Sequence, residues 1–366
     1  MSNTSRKKDR VSFVMHDGEI CTSINNIVFN NEKTDLLRYP SNKTKPHEYV
    51  VPHGISRIGK RAFQNIRALT KATLPVGVIE IEPFAFKGCP NLKSINIPEG
   101  VTTLKKKVFY ECASLTSVAL PQSLNEVCDF AFGGCEKLSD IIFPDSITKI
   151  GPGAFLWCKN LTNITIPENM TCIPFCLFEG CESLTEIKIP DSVKEIGIYA
   201  FCRCKNLTSL IIPSRVTEIG YYAFAHCEKL SEIKIPENVT DIGSNTFFGC
   251  KNLKNIYVSP DNQKYTDVDG VLFSKDMSVL IRYPEANERC SYTIPDGVKT
   301  IKNQAFSDCL KLTCLAVPNS LTEIGYQAFR GCRNLEVVDV PDSVVIVKPF
   351  AFEMCDKLKG MPLPRG

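Results

Sequence analysis

Apolar and polar positions along the chain repeat one short phrase. At 86–104 it reads FKGCPNLKSINIPEGVTTL and at 224–242 FAHCEKLSEIKIPENVTDI. The segment L-x-x-I-x-I-P alternates apolar, polar and apolar, with β-branched residues enriched, which predicts a short strand. The proline has no N–H for a ladder and ends it. Turn-forming pairs such as Glu99-Gly100 and Asp191-Ser192 follow. Then V-x-x-I-G is expected to turn a second corner, and A-F-x-x-C to form a single helical turn. Phenylalanine recurs at a spacing of 23 residues from Phe63 to Phe247 and again from Phe306 to Phe352, each followed six residues later by leucine. Twelve units hold this register, with no one-residue slip inside either run.

A unit this short cannot bury its own apolar residues, so it must stack on copies of itself. Equivalent strands then become neighbours in a parallel ladder with a spacing of about 4.8 Å. Like residues form columns, Phe on Phe and Leu on Leu, in one continuous solenoid domain. The expected parts are a hairpin-like N-terminal cap over 1–48, an array of nine units over 49–259, an inserted hairpin over 260–291 and an array of three units over 292–366. Cap and insertion are internal duplicates: NNIVFNNEKTDLLRYP (25–40) aligns without a gap on DGVLFSKDMSVLIRYP (269–284). Each reads as two apolar runs joined by a polar turn. They join or cap arrays, or form a protruding contact element. The chain stops in mid-unit on LKGMPLPRG, which would leave a strand edge open to self-association.

Of the 18 cysteines, eleven sit three residues after the repeat phenylalanine. In the first unit Ile66 takes that slot, which points to a buried apolar column. The tight C-x-x-C or C-x-x-H spacing of zinc sites is absent, so no metal is expected. Seven cysteines lie off the column: Cys21, Cys128, Cys172, Cys176, Cys202, Cys290 and Cys314. Incidental packing and a redox or metal site are both readings of these.

The pattern IPxxVxxIGxxAFxxCxxLxxI resembles the BspA-like leucine-rich repeats of the Treponema pallidum type, over about 49–259 and 292–366. The resemblance implies a leucine-rich-repeat solenoid: a curved, right-handed stack of 23-residue units with a concave parallel β-sheet and short helical turns. It also implies adhesion at the cell surface, to host matrix or other cells.

Composition adds little. With 43 Lys and Arg against 40 Asp and Glu the net charge is +3, too small to imply a nucleic-acid partner. No apolar run is long enough to cross a bilayer. The basic start MSNTSRKKDR runs into VSFVMHDGEI, which is interrupted too soon to read as an export signal. The absence of a signal or anchor leaves a cytoplasmic place open beside the surface one. Lys105-Lys106-Lys107 reads as a solvated corner. Of four histidines only His226 lies well inside the array, next to Cys227; adjacent residues point apart, so a Cys–His nucleophile is not expected. No catalytic, cofactor or metal site is predicted.

The repeat permits variation at the outward strand slots. There Glu186 and Lys188, and Glu232 and Lys234, flank Ser209 and Ile211, with Asn163 and Thr165 to one side and Tyr257 to the other. A charged rim around an apolar spot and an aromatic is how protein contacts are often built. The chain therefore reads as a non-enzymatic protein-binding scaffold. A self-associating structural module is the alternative, and an enzyme hidden in the inserted hairpin a remote third.

Overall fold

A computed structural model describes residues 10–14, 20–42 and 44–359. They form a parallel β-solenoid of 23-residue coils, the leucine-rich-repeat architecture. The described residues divide into two compact units: the first runs to Pro167 and includes Cys176–Cys181, and the second takes Glu168–Phe175 and everything from Glu182 on. The expected open strand edge after Lys359 lies outside the described residues.

The first unit opens with four antiparallel strands, Arg10–Val14, Ile20–Ile24, Ile27–Asn30 and Asp35–Arg38. The last pairs in parallel with Arg57–Ile58, and that with Glu80–Ile81. The strand slots of the repeat build a separate parallel ladder of His47–Val50, Leu69–Thr73, Ser94–Asn96 and Ser117–Ala119. The V-x-x-I segments, read from sequence as corners only, are thus two-residue strands of a second parallel ladder. Thr103–Leu104, Glu126–Val127 and Lys149–Ile150 continue the same pattern.

The second unit repeats this plan. Cys172–Ile173, Glu195–Ile196, Glu218–Ile219 and Asp241–Ile242 pair in parallel. The inserted hairpin is present as Val271–Ser274 and Val279–Arg282, with an additional antiparallel strand, Tyr265–Val268, that its sequence did not reveal. It hands over to Thr300–Ile301, Glu323–Ile324 and Ile346–Val347. The duplication extends to the backbone. Asn25-Asn26 and Asp269-Gly270 are paired left-handed residues, and Lys33 matches Met277, both at φ 59°. Two left-handed residues in a two-residue loop give the hairpin turn whose twist suits the flanking strands.

The expected helical turn at A-F-x-x-C does not form; no helix occurs among the described residues. The reason is an alternation of handedness. The residues two before and two after the repeat phenylalanine are left-handed, as at Arg61 (φ 62°) and Asn65 (φ 61°) around Phe63. Backbone donors alternate with them. Ala62, Gln64 and Ile66 donate to carbonyls three residues back, whereas Arg61, Phe63 and Asn65 donate to Pro83, Ala85 and Lys87 of the next coil. A right-handed helix would spend all of these donors within one coil. Here every second one ties neighbouring coils together, and the cost is two left-handed residues per coil, about 1–2 kcal/mol each where the residue is not glycine.

The recurring side chains fill the interior. In the first unit Phe63, Phe86, Phe109, Phe132, Phe155 and Phe178 are fully buried. Their rings stack at centroid distances of 4.8–6.0 Å and interplanar angles of 7–23°. The runs from Phe63 and from Phe306 each begin on a tyrosine of the duplicated LLRYP or LIRYP segment: Tyr39 lies 5.0 Å from Phe63, and Tyr283 lies 4.9 Å from Phe306. Both hydroxyls have partners, His47 Nε2 at 2.9 Å and Asn287 Oδ1 at 3.0 Å.

The column cysteines do more than fill space. Cys89 Sγ donates to the Phe63 carbonyl at 3.0 Å, Cys112 to Phe86 at 3.2 Å, Cys135 to Phe109 at 3.3 Å and Cys332 to Phe306 at 2.9 Å. The phenylalanine carbonyl also receives a local N–H, as from Ile66 to Phe63. The thiol therefore supplies the second partner of a buried acceptor that has two lone pairs. Burial pushes the Cys89 and Cys250 thiols up to about 12, which keeps them protonated donors and poor nucleophiles.

Phe132→Ala, in the middle of a column, is expected to cost about 3–5 kcal/mol, read as a drop in the midpoint of chemical denaturation. In the native protein an aromatic disulfide reagent should modify the exposed Cys290 and Cys314 first. Cys128, Cys172 and the half-buried Cys355 should follow, and the buried column thiols should react only as the fold opens. Fast modification of Cys135 in the folded chain would contradict the buried-donor role.

Candidate functional site

All nine strand-slot residues face solvent. Asn163 and Thr165 belong to the first unit, the others to the second. Glu232–Ile235 pairs in parallel with Asn255–Val258, which sets Glu232 beside Asn255 and Lys234 beside Tyr257. At 186–189 and 209–212 the backbone carries no strand; the Thr208 N–H reaching the Thr185 carbonyl at 3.0 Å links these coils. Inward positions remain apolar: Ile187, Ile189, Leu210 and Ile212 are all buried. Ile211 is 83% exposed and Tyr257 41%. Lys188 pairs with Glu168 at 2.8 Å, while Glu186, Glu232 and Lys234 make no ion pair among the described residues.

A second surface lies on the ladder of V-x-x-I strands. Parallel register places Glu195, Glu218 and Asp241 on successive strands. Beside them, in the slot after the corner residue, Phe175, Ile198 and Tyr221 are 45%, 39% and 53% exposed. A groove of about 460 Å³ runs between these carboxylates and Ile198 and Tyr221. Elsewhere the same slot holds Lys60, Lys106, Asp129, Ser244, Asn303, Tyr326 or proline. Three consecutive apolar residues in a column of that kind were the signal in the sequence, and reading the segment as a bare corner hid it.

Other sequence candidates resolve into packing. Lys105 bonds Glu80 and Glu82, Lys106 pairs with Asp129 at 3.4 Å, and Lys107 lies 5.0 Å above the Tyr110 ring. Each lysine of that basic triplet is thus engaged within the coil stack. Cys227 directs its thiol to the Phe201 carbonyl at 3.2 Å. His226 instead meets Phe248 edge-on at 5.3 Å, so the two neighbours serve different layers. Gly249, left-handed at φ +72°, lets the imidazole in: a Cβ there would fall 2.3 Å from Nδ1. No group of three or more His, Cys, Asp or Glu side chains able to hold a metal occurs among the described residues. No helix among them is long and apolar enough to cross a membrane.

The profile of the BspA type leucine-rich repeat region matches in six copies, over 22–162, 148–276 and 286–366. The chain is similar to a leucine-rich repeat protein from Bacteroides ovatus, at 25% identity and TM-score 0.65, over 98% of this chain and 94% of that one. It is also similar to a leucine-rich cell surface protein of Faecalibacterium prausnitzii, at 26% identity and TM-score 0.51, over 96% and 88%. A leucine-rich repeat protein from Eubacterium ventriosum shares the fold at 20% identity and TM-score 0.56, over 97% of each chain. No curated protein matches.

Burial, and then the positive charge of Arg203, hold the His226 imidazole below its ordinary value of 6.5. The folded chain therefore binds fewer protons there than the unfolded chain, and stability should rise with pH through the window below about 6.5 and fall away on acidification. Denaturant midpoints at pH 5 and pH 8 should differ less in His226→Gln than in the parent; an unchanged difference would remove this group as the source.

Proposed function

Because the chain belongs to the BspA-type leucine-rich-repeat family, we propose that it is a non-enzymatic binding scaffold that engages protein partners through the exposed side chains of its coils. The observation that carries this is the division of labour within each coil. The recurring Phe, Leu, Ile and column Cys residues pack inward, and the varied strand slots meet solvent. Binding specificity in a solenoid can then change without touching the core.

On this reading the contact face comprises Glu186, Lys188, Ser209, Ile211, Glu232, Lys234 and Tyr257, with Asn163 and Thr165 as its counterpart in the first unit. Exposed Ile211 and Tyr257 supply apolar anchors, and the unpaired Glu186, Glu232 and Lys234 supply orienting charge. The Faecalibacterium relative, a cell surface protein, supports a place at the surface, where such a scaffold would adhere to matrix or cells. The groove of Ile198 and Tyr221 with its three carboxylates favours a second reading, in which a basic, partly apolar segment of the partner docks on the other ladder. Self-association of the chain is the remaining alternative.

Immobilised protein should capture at least one member of a panel of matrix proteins or whole cells, measured by interferometry. Reversing the charges of Glu186, Lys188, Glu232 and Lys234 together should reduce capture at least tenfold at unchanged thermal stability. Retained capture in that variant with loss in Ile198→Ala/Tyr221→Ala moves the site to the second ladder. Retention in both overturns binding through these faces, and concentration-dependent sedimentation without capture supports self-association instead.

A further inference from the structure

The inserted hairpin interrupts the ladder of alternating donors at one place. In the preceding coil Tyr222, Phe224 and His226 donate to the carbonyls of Ser244, Thr246 and Phe248. The equivalent donors one coil on are Asn245, Phe247 and Gly249. The chain beyond them detours into the insertion, and no backbone carbonyl arrives to meet them. Gly249 donates instead to the Glu285 carboxylate at 2.7 Å. The N–H groups of Asn245 and Phe247 meet no protein acceptor among the described residues. Asn245 is left-handed at φ 60°, so this stretch retains the alternating backbone that turns successive N–H groups toward a shared concavity, a geometry that binds anions.

These residues line a cavity of about 120 Å³, several times the 10–15 Å³ or so that one water needs. Arg282, which is 6% exposed, also lines it. Arg282 bonds Glu285 and the Gln304 carbonyl, yet its Nε has no partner. Gln304, in the same lining, has its Oε1 buried and unpartnered too. The orientation of that amide follows from a relay: Gln304 Nε2 donates to Gln327 Oε1 at 2.9 Å, and Gln327 Nε2 is directed to the Glu353 carboxylate. With its nitrogen turned to Gln327, the glutamine leaves its carbonyl oxygen as the buried atom without a partner. Lys302 and Ser244 stand exposed at the mouth.

Three donors without partners and one acceptor facing a single cavity form a set that one small molecule can satisfy. We propose that this gap between the coils of Phe247 and Tyr283 binds a small oxyanion that carries a hydroxyl, of the inorganic phosphate or short hydroxycarboxylate class. The anionic oxygens take the two backbone N–H groups and Arg282 Nε, and the hydroxyl donates to Gln304 Oε1. Lys302 attracts the ligand at the entrance. The duplicated segment isolates the cause. In the first copy Arg38, the counterpart of Arg282, is exposed, and Ser41 stands where Glu285 caps the ladder. The first copy thus lacks both the buried arginine and the carboxylate.

Calorimetric titration of the full chain with inorganic phosphate, glycolate and sulfate at constant ionic strength tests this. One saturable site is expected for phosphate or glycolate, and whichever of the two binds more tightly identifies the source. Sulfate, which lacks a proton to donate at neutral pH, should bind at least tenfold more weakly, and Gln304→Met should erase that difference. Lys302→Glu, at the exposed mouth, should weaken binding at least tenfold without lowering the unfolding midpoint. Absence of saturable binding to any of the three anions by the folded protein overturns the proposal, as does sulfate binding equal to phosphate or undiminished affinity in Lys302→Glu.

Discussion

The hydrogen bond from one coil to the next, donated by every second residue around the repeat phenylalanine, is the constraint on which the rest depends. A helical turn at the same place would satisfy its own backbone and leave coils joined only by side chains. By alternating left- and right-handed residues the segment keeps half its donors for the neighbour. The phenylalanines are then held at ring-stacking distance, and the cysteines come within reach of the carbonyl one coil back. Register is fixed by backbone and core together, which is why a slip of one residue is not tolerated within either run of repeats.

Ion pairs follow the same geometry and matter less. Lys149 with Glu126, Lys159 with Glu136 and Lys251 with Glu228 each bridge positions 23 residues apart. Such exposed pairs contribute about 0–1 kcal/mol and fade with salt. Buried Phe, Leu and Ile columns, at about 1.5–3 kcal/mol per large side chain, outweigh them. The charged surface is thus open to change under selection for partners while the interior is not.

Much of this was legible in the residues. The 23-residue period named the inward columns correctly, from Phe63 to Phe352, and the alternation around Ile233 and Ile256 placed Lys234 and Tyr257 outside. The duplicated hairpin was visible in NNIVFNNEKTDLLRYP and its copy. What stayed hidden had no compositional mark. Left-handed backbone at Arg61, Phe84 or Trp157 occurs in residues that give no hint of it, so A-F-x-x-C looked like a helical turn. Two-residue strands such as Glu218–Ile219 are too short to show a period. The thiol's carbonyl partner lies 26 residues away and is invisible until the coils stack. The cavity beside Arg282 arises from a missing neighbour, and local sequence patterns encode what is present.

The two tyrosine-headed hairpins also bear on how such a chain changes length. Each begins a phenylalanine column with its own cross-strand turn and its own ring to cap the first coil. A crossover between the stretches of coding sequence for LLRYP and LIRYP would excise every intervening coil and still leave a properly headed stack. The reverse exchange would duplicate the block. Array length can therefore be inherited as a modular trait, gained or lost in whole blocks, with the reading surface resized and the interior left intact.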